Sequence, residues 1–340
     1  MSAIGDCILT LPVACALRDA FPDAFLGWVV EKKSAPMVRN HSALDAVIEL
    51  ERGWFTRPSG LIQTRSTLRE FGFTVSIDPQ GNTKSALAGY VAGCRHRIGF
   101  AGEHGGELSW LMNNVRVRTN PHHNHVTDRS LALLRAIGVQ HDADDNGRGV
   151  RFDLPIPDAA RHWATRWRAM SSGESIAVLN PGGTWPSKLW ECDRFAGVAR
   201  KLRNRSGLQC FVVYGGAKER AMAEQIVAQS DGAALIAPDT DLHHLAALIE
   251  TADLFISGDT GPMHMSVAVG TPTIGMYGAT RPGDCGPYGS PHIALQNAYE
   301  SGSRRHRRNA DNSAMRSIQV DDVVSAAEKI LHSTKRRSAA

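Results

Sequence analysis

The sequence predicts an α/β protein of two Rossmann-like halves, each a parallel sheet flanked by helices, facing each other across a ligand cleft at the carboxyl ends of the strands. The main observation is a repeating unit: a short β-branched or aromatic run, a turn of Gly, Pro or Asp, then an amphipathic stretch. The second is size, since at roughly 100 to 200 residues per domain 340 residues make two domains. The third is composition. With 42% apolar and 21% charged residues the chain can build a substantial core, which excludes disordered, collagen-like and coiled-coil classes.

In the first half the pattern predicts strands over 26–30, 46–50, 74–78 and 96–100, with helices over 8–20, 60–70, 83–92 and 126–137. The stretches 102–124 and 141–151 are weakly patterned. A helix over 157–170 leads into Ser171-Ser172-Gly173, which places the domain boundary there: one domain over 1–171, a second over 172–333, and a disordered tail over 334–340. In the second half strands over 176–180, 210–214, 234–237, 254–257 and 273–277 alternate with helices over 193–203, 218–229, 242–251 and 262–269. The start departs from the pattern. The loop Ser2-Ala3-Ile4-Gly5-Asp6 opens directly onto a helix, where an α/β half-domain would have its first strand, so the first half is expected to lack that strand.

Charge and cysteine content narrow the function classes. A net charge of +4 is too small to indicate nucleic-acid binding but suits an acidic substrate. The six cysteines are scattered, with no C-x-x-C pair and no zinc-finger spacing, which fits a reducing cytoplasm without disulfides or structural zinc. The apolar run 7–17 resembles a signal-peptide core, yet Asp6 rather than a basic region precedes it. The uncharged run 260–280 carries Pro262, Pro272 and several glycines, which suit turns rather than a lipid-facing span.

Three strand-end turns carry the candidate chemistry. In Ser257-Gly258-Asp259-Thr260-Gly261-Pro262-Met263-His264 the glycines admit close backbone approach, and the free N–H groups of the following helix favour anions, so the turn reads as a diphosphate seat or as a tight βα connection. The turn 180–190 (Asn-Pro-Gly-Gly-Thr-Trp-Pro-Ser-Lys-Leu-Trp) offers Lys188 as a cation for a phosphate leaving group, while Trp185 and Trp190 belong to core or pocket wall. The turn 78–85 offers Gln80 and Lys84. Asp6, at the head of the first helix, is an N-cap or a general base.

Other clusters read as structural. Asp142-Ala143-Asp144 and Asp239-Thr240-Asp241 are D-x-D strings, but the first lies in a polar loop and Asp241 is placed to cap a helix. His122, His123 and His125 have loop spacing rather than metal-site spacing, and no metal or cofactor is expected. The basic run Arg304-Arg305-His306-Arg307-Arg308 is a solvated loop or a contact for anionic lipid headgroups.

Together the segments SAIGDCILTLP, AFPDAFLGWVVE, DPQGNTKSALAG, CRHRIGF, HHNHVTDRSLALLRAIGV, LNPGGTWPSKLW and SGDTGPMHMSVAVGTPTIGMYGATRPGDCGPYG resemble glycosyltransferase family 9, the lipopolysaccharide heptosyltransferases. The resemblance implies a GT-B fold with an acceptor-side first domain and a nucleotide-sugar-binding second domain. It implies metal-independent, inverting transfer of L-glycero-D-manno-heptose from ADP-heptose to the Kdo/heptose inner core of lipopolysaccharide, at the cytoplasmic face of the inner membrane. By motif position Asp6 would be the base, Lys188 would steady the departing diphosphate, and Thr184, Asp259, Thr260, Gly261 and His264 would hold the donor. Gln80, Gly81 and Lys84 would face the acceptor, Kdo-lipid A. The alternatives are a family-9 transferase for another nucleotide sugar, and an inactive nucleotide-sugar-binding protein lacking the first strand. Two departures stand out. Family members usually carry an apolar strand ahead of SAIGD, and many carry cysteines where this chain has Asp311-Asn312-Ser313-Ala314.

Overall fold

The structure, a computed structural model, describes residues 3–119, 125–140, 147, 149–171 and 175–338, with side chains through residue 333. Two compact units make up the chain: residues 1–144 with 149–155, and residues 145–148 with 156–340. His122, His123, Asp142 and Asp144 lie outside the described residues, as do 172–174.

Among its described residues the first unit has five strands in two parallel sheets. β1 (Gly27–Glu31) pairs with β2 (Ala46–Leu50), and β3 (Val75–Ile77) pairs with β4 (His96–Phe100), which pairs with β5 (Val115–Val117). The sequence pattern predicted β1 to β4 and left β5 in a weakly patterned loop. The helix Ile4–Ala20 opens the unit, and Pro58–Glu70 and Thr83–Val91 follow β2 and β3. The stretch expected as one helix over 126–137 is α-helical over Val126–Ala132 and tightens to a 3-10 turn over Leu133–Ile137, closed by Gly138 in the left-handed region at φ +80°. Its buried side chains include clusters around Leu68 and Ile48, around Val13 and Leu134, and around Ile98 and Leu133, and the first helix buries Cys7, Ile8 and Leu11 completely.

The second unit is one six-stranded parallel sheet. Its strands are β6 (Ile176–Asn180), β7 (Gln209–Val212), β8 (Ala234–Ile236), β9 (Leu254–Gly258), β10 (Thr273–Met276) and β11 (Ile293–Leu295), in the spatial order β11-β10-β9-β6-β7-β8. β6 and β9 are buried along their whole length, as continuous Val/Ile/Leu-rich runs in a parallel sheet should be. On one face a large core joins them to the helices Cys192–Ser206 and Val320–Ser338, and Ile176, Val178 and Phe255 are fully buried as well.

Two expectations are corrected. The boundary falls near residue 155 rather than 171, because the amphipathic helix Asp158–Met170 belongs to the second unit: Arg161 pairs with Glu250 at 2.9 Å, Arg168 with Asp253 at 3.2 Å, and the Trp163 ring meets His244 edge-on at 5.0 Å. The terminal helix continues to Ser338, through residues expected to form a tail. Among the described residues no helix is long and apolar enough to cross a membrane.

Candidate active site

In the second unit the chain builds outward from β6 through β7 to β8, then returns to place β9 on the other side of β6. This reversal makes the carboxyl ends of β6 and β9 a topological switch point, where α/β sheets open a crevice for ligands. The two ends are tied together. Asn180, the last residue of β6, donates its Nδ2 to Ser257 Oγ at 2.9 Å and to Thr260 Oγ1 at 3.0 Å, and the two hydroxyls lie 3.0 Å apart. Because Thr260 is engaged in this triangle, its side chain does not cap the helix Gly261–Ala268 that it precedes. The first-turn N–H groups, which have no intrahelical acceptor, are thereby left to a ligand.

Asp259 sits just outside β9, 8% exposed, and collects donors from three directions. Lys188 Nζ lies 2.5 Å from Oδ2, Thr280 Oγ1 donates to the same oxygen at 2.7 Å, and His264 Nε2 is 3.4 Å from Oδ1. Burial alone would raise the carboxyl's pKa, but the bond from His264 and the Lys188 charge outweigh it and hold Asp259 well below the usual carboxylate range. Cys285 Sγ is 3.7 Å from Oδ2, and burial together with the Asp259 charge pushes its thiol well up. The Lys188 ammonium also lies 4.6 Å from the centre of the Trp185 ring. The result is a cation fixed in place by its carboxylate and a tryptophan face, beside a helix N-terminus. Such an arrangement can seat a diphosphate.

The neighbouring residues divide into support and spare capacity. Trp190 is core, 2% exposed, with its indole N–H on Ile318 O at 3.2 Å. Asn312 donates Nδ2 to Leu189 O at 3.0 Å and so braces the Lys188 turn. Thr184 is exposed on that same turn. His264 Nδ1 is buried without a hydrogen-bond partner, a polar atom available to a ligand.

In the first unit Asp6 is exposed at the third position of the helix Ile4–Ala20. It is not the N-cap; Ala3 holds that position with no side-chain cap. Instead Asp6 Oδ2 accepts Gln80 Nε2 at 3.0 Å. Gln80 and Gly81 stand on the turn after β3, where both of their N–H groups donate to the buried Asp78 Oδ1, at 3.2 and 3.0 Å. Burial raises the Asp78 pKa, partly offset by these bonds and by Asn113. Gly81 has φ +64°, and a Cβ there would lie 2.6 Å from His104 O, so the turn demands glycine. Lys84 reaches Glu31 Oε1 at 2.7 Å, both side chains mostly buried.

The sequence singled out Lys188, Asp259, Thr260, Gly261 and His264, and the structure brings them together, with Thr184 on the same turn. It likewise joins Asp6 to Gln80. Glu31, Thr280 and Cys285 were missed. Glu31 closes β1 and Thr280 lies beyond the end of β10, the signal that marked the others, but the pairing of Glu31 with Lys84 spans 53 residues of sequence. Asp239 accepts the Tyr214 hydroxyl at 2.6 Å and Asp241 caps the helix Leu242–Glu250, so the D-x-D string is structural. His125 caps Val126–Ala132. Among the described residues no group of three or more His, Cys, Asp or Glu could hold a metal ion.

The chain is similar in sequence and fold to known proteins. Lipopolysaccharide heptosyltransferase 3 of Escherichia coli K12 is 25% identical over 337 residues, covering 96% of this chain and 95% of its own. The solved structure of a family 9 glycosyl transferase from Veillonella parvula superposes with a TM-score of 0.78 at 22% identity, covering 97% of this chain and 94% of that one. The E. coli heptosyltransferase WaaC with ADP-2-deoxy-2-fluoro heptose superposes with a TM-score of 0.73 at 22% identity, covering 97% of each. Residues 61–314 match the family described as glycosyltransferase family 9 (heptosyltransferase). The chain is therefore a glycosyltransferase of GT-B fold and belongs to family 9, the heptosyltransferase family.

Proposed function

We propose that this transferase moves L-glycero-D-manno-heptose from ADP-heptose to the acidic inner core of lipopolysaccharide, with inversion at the anomeric carbon. The observation that carries the reading is Lys188, fixed by Asp259 at the head of the helix Gly261–Ala268. That site supplies what a departing diphosphate needs: a cation, oriented N–H groups, and exclusion of water from Asp259 behind them. A donor of this class is seen with the relative WaaC, whose solved structure contains ADP-2-deoxy-2-fluoro heptose.

The step balances as a single displacement. The acceptor hydroxyl gives its proton to Asp6 and its oxygen bonds the anomeric carbon as the carbon–phosphate oxygen bond breaks. ADP leaves with the bonding electrons, its charge met by Lys188. Gln80 holds one carboxylate oxygen of Asp6 and leaves the other for the proton. Asp259 acts as a positioning residue, Thr184, Thr260, Gly261 and His264 contact the donor, and Gln80, Gly81 and Lys84 face the acid-rich acceptor. Lys188 takes the charge role that a divalent cation has in other transferases, so EDTA is expected to leave the rate unchanged. Exposed Arg304, Arg305 and Arg308 support peripheral contact with anionic headgroups.

The test is Asp6→Asn. Transfer to a deacylated Kdo acceptor should fall by about 10²- to 10⁴-fold, with ADP affinity unchanged. Parallel loss of ADP affinity would overturn the assignment of Asp6 as base. The divided sheet beneath Asp6 favours a second reading, binding without turnover; calorimetric ADP binding with no transfer to any core acceptor, across a panel of nucleotide sugars, would carry it.

A further inference from the structure

Lys188 and Thr280 both donate to Asp259 Oδ2, yet neither stands on a strand: Lys188 closes the short turn Pro186–Lys188 after β6, and Thr280 lies beyond the end of β10. The sheet fixes Asp259, the residue just past β9, and leaves these two turns to be held by something else. The helix Arg304–Asn309 reaches both. Its Arg307 uses the backbone for one turn and the side chain for the other. The carbonyl accepts the Ser187 hydroxyl at 2.6 Å, and Nη1 donates to Ala279 O at 2.7 Å. Each anchor is the residue immediately before a donor to Asp259. The flanks of the helix follow the same plan, with Glu300 N on Gly278 O at 2.9 Å and Asn312 Nδ2 on Leu189 O at 3.0 Å. The basic run is therefore not uniform. Arg304, Arg305 and Arg308 are exposed, whereas Arg307 is half-buried and its Nε is buried with no hydrogen-bond partner. A guanidinium facing water would satisfy all of its N–H groups; this one gives up a bond to stay on Ala279.

We infer that Arg307 is a positioning residue: it clasps the Ser187–Lys188 turn to the Ala279–Thr280 turn, and so sets Lys188 and Thr280 on the same oxygen of Asp259 before a ligand arrives. This role rests on the reading of Lys188 as the cation for a departing diphosphate. A lysine ammonium sits on a flexible four-carbon stem, and its place depends on the backbone beneath it keeping register with the carboxylate it meets. A cation ordered in advance meets the charge that develops on the leaving group without reorganising during the step. Loosening the clasp therefore weakens an interaction that is strongest in the transition state, and the rate should suffer more than donor binding.

The test is a double-mutant cycle in the full chain: Ser187→Ala, Arg307→Met and the two together, with Arg307→Lys as the conservative variant. The two bonds act in series through one residue, so cutting either opens the clasp and cutting the second adds little. Without ligand, each single change should speed exchange of the Lys188 and Leu189 amides, which bond Trp185 O and Pro186 O, by about tenfold, with β6 and β9 unchanged. In transfer from ADP-heptose each should lower kcat by about tenfold and move the donor KM by less than about threefold. Arg307→Lys, which keeps a cation in reach of Ala279, should recover most of the rate. Additive losses in the cycle would overturn the clasp, as would Lys and Met substitutions of equal effect. Faster exchange in β6 and β9 alongside the turn would show a general loss of packing and overturn it too. The two readings fail separately. Unchanged exchange at Lys188 with normal ADP binding would remove the clasp and leave the diphosphate seat standing; the expected exchange pattern with no ADP binding by the parent chain would uphold the clasp and overturn the seat.

Discussion

The two units use the same βα grammar and differ in continuity. In the second, six strands share one sheet with a large core against it, and the candidate donor groups rise from adjacent strands, β6 and β9, whose ends are tied by Asn180, Ser257 and Thr260. In the first, five strands among the described residues form two sheets, and the candidate acceptor groups are tied to the rest of the unit by single contacts, Gln80 to Asp6 and Lys84 to Glu31. A diphosphate seat needs donors held in place before the ligand arrives, and the continuous sheet supplies that. The divided sheet places polar groups of the same kind on a less constrained base.

Core truncation should expose the difference most strongly. Phe195, 1% exposed and edge-on to Trp190 at 5.1 Å, is locked in the large core, so Phe195→Ala should cost about 4 kcal/mol. Leu134, fully buried in a small cluster of the first unit, should cost about 2 kcal/mol as Leu134→Ala, because the few neighbours of a small cluster can relax into the space left. Hydrogen exchange followed peptide by peptide assigns each loss to its unit. Equal costs would mean the divided unit is as tightly packed as the continuous one.

The same contrast governed what the sequence disclosed. β6, β9 and β10 are unbroken apolar runs ending in Gly or Ser turns, and periodicity finds such strands at once. β5 is Val115-Arg116-Val117, three residues on a sheet edge with an arginine between its valines, and nothing local separates it from a loop. The candidate donor cluster was legible as a cluster because its residues sit on two compact motifs, Lys188 on one and Asp259 to His264 on the other. Thr280 and Cys285 reach Asp259 from a third segment, across 21 and 26 residues of sequence. The domain boundary was misplaced because an amphipathic helix announces a buried face but not its partner; Arg161 and Arg168 find theirs on the second unit. Asp6 looked like a cap because it follows a Gly turn, and only the backbone shows the helix starting two residues earlier.

Acidification should unbalance the second unit in two separate windows. Burial pushes the His292 pKa down to about 4, and its Nδ1 has no partner. A group held neutral in the fold costs nothing above its unfolded pKa near 6.5. As pH falls from there toward 4 the unfolded chain binds the proton first, and stability drops by up to about 3 kcal/mol. His292→Phe should flatten that slope in denaturation curves taken between pH 7 and 4.5, and an unchanged slope would mean that the ring titrates alike in both states. Asp259 acts lower. Its pKa is depressed, so its contribution is complete above the usual carboxylate value and is lost only as pH falls below it. Asp259→Asn strands the Lys188 ammonium and should cost about 3 kcal/mol at neutral pH, a loss that ADP should partly restore by supplying the missing negative charge.

The smallest expected effect separates two roles for Lys84. Its pair with Glu31 is mostly buried, with side chains 19% and 13% exposed, and it links the residue that closes β1 to the helix that follows β3. If the pair is chiefly a strap across the divided sheet, Lys84→Met should destabilise the first unit by about 1 kcal/mol, and Glu31→Gln added to it should recover most of that, since each single change leaves a half-buried polar group without its partner. The Michaelis constant for the acidic acceptor would then move little. If Lys84 serves chiefly as a cation for the acceptor, the order reverses: Glu31→Gln alone should tighten acceptor binding by freeing the ammonium, while Lys84→Met weakens it whatever stands at residue 31. The double-mutant cycle, read in both stability and acceptor affinity, decides between them, because a strap couples the two residues in stability and an acceptor site couples them in binding.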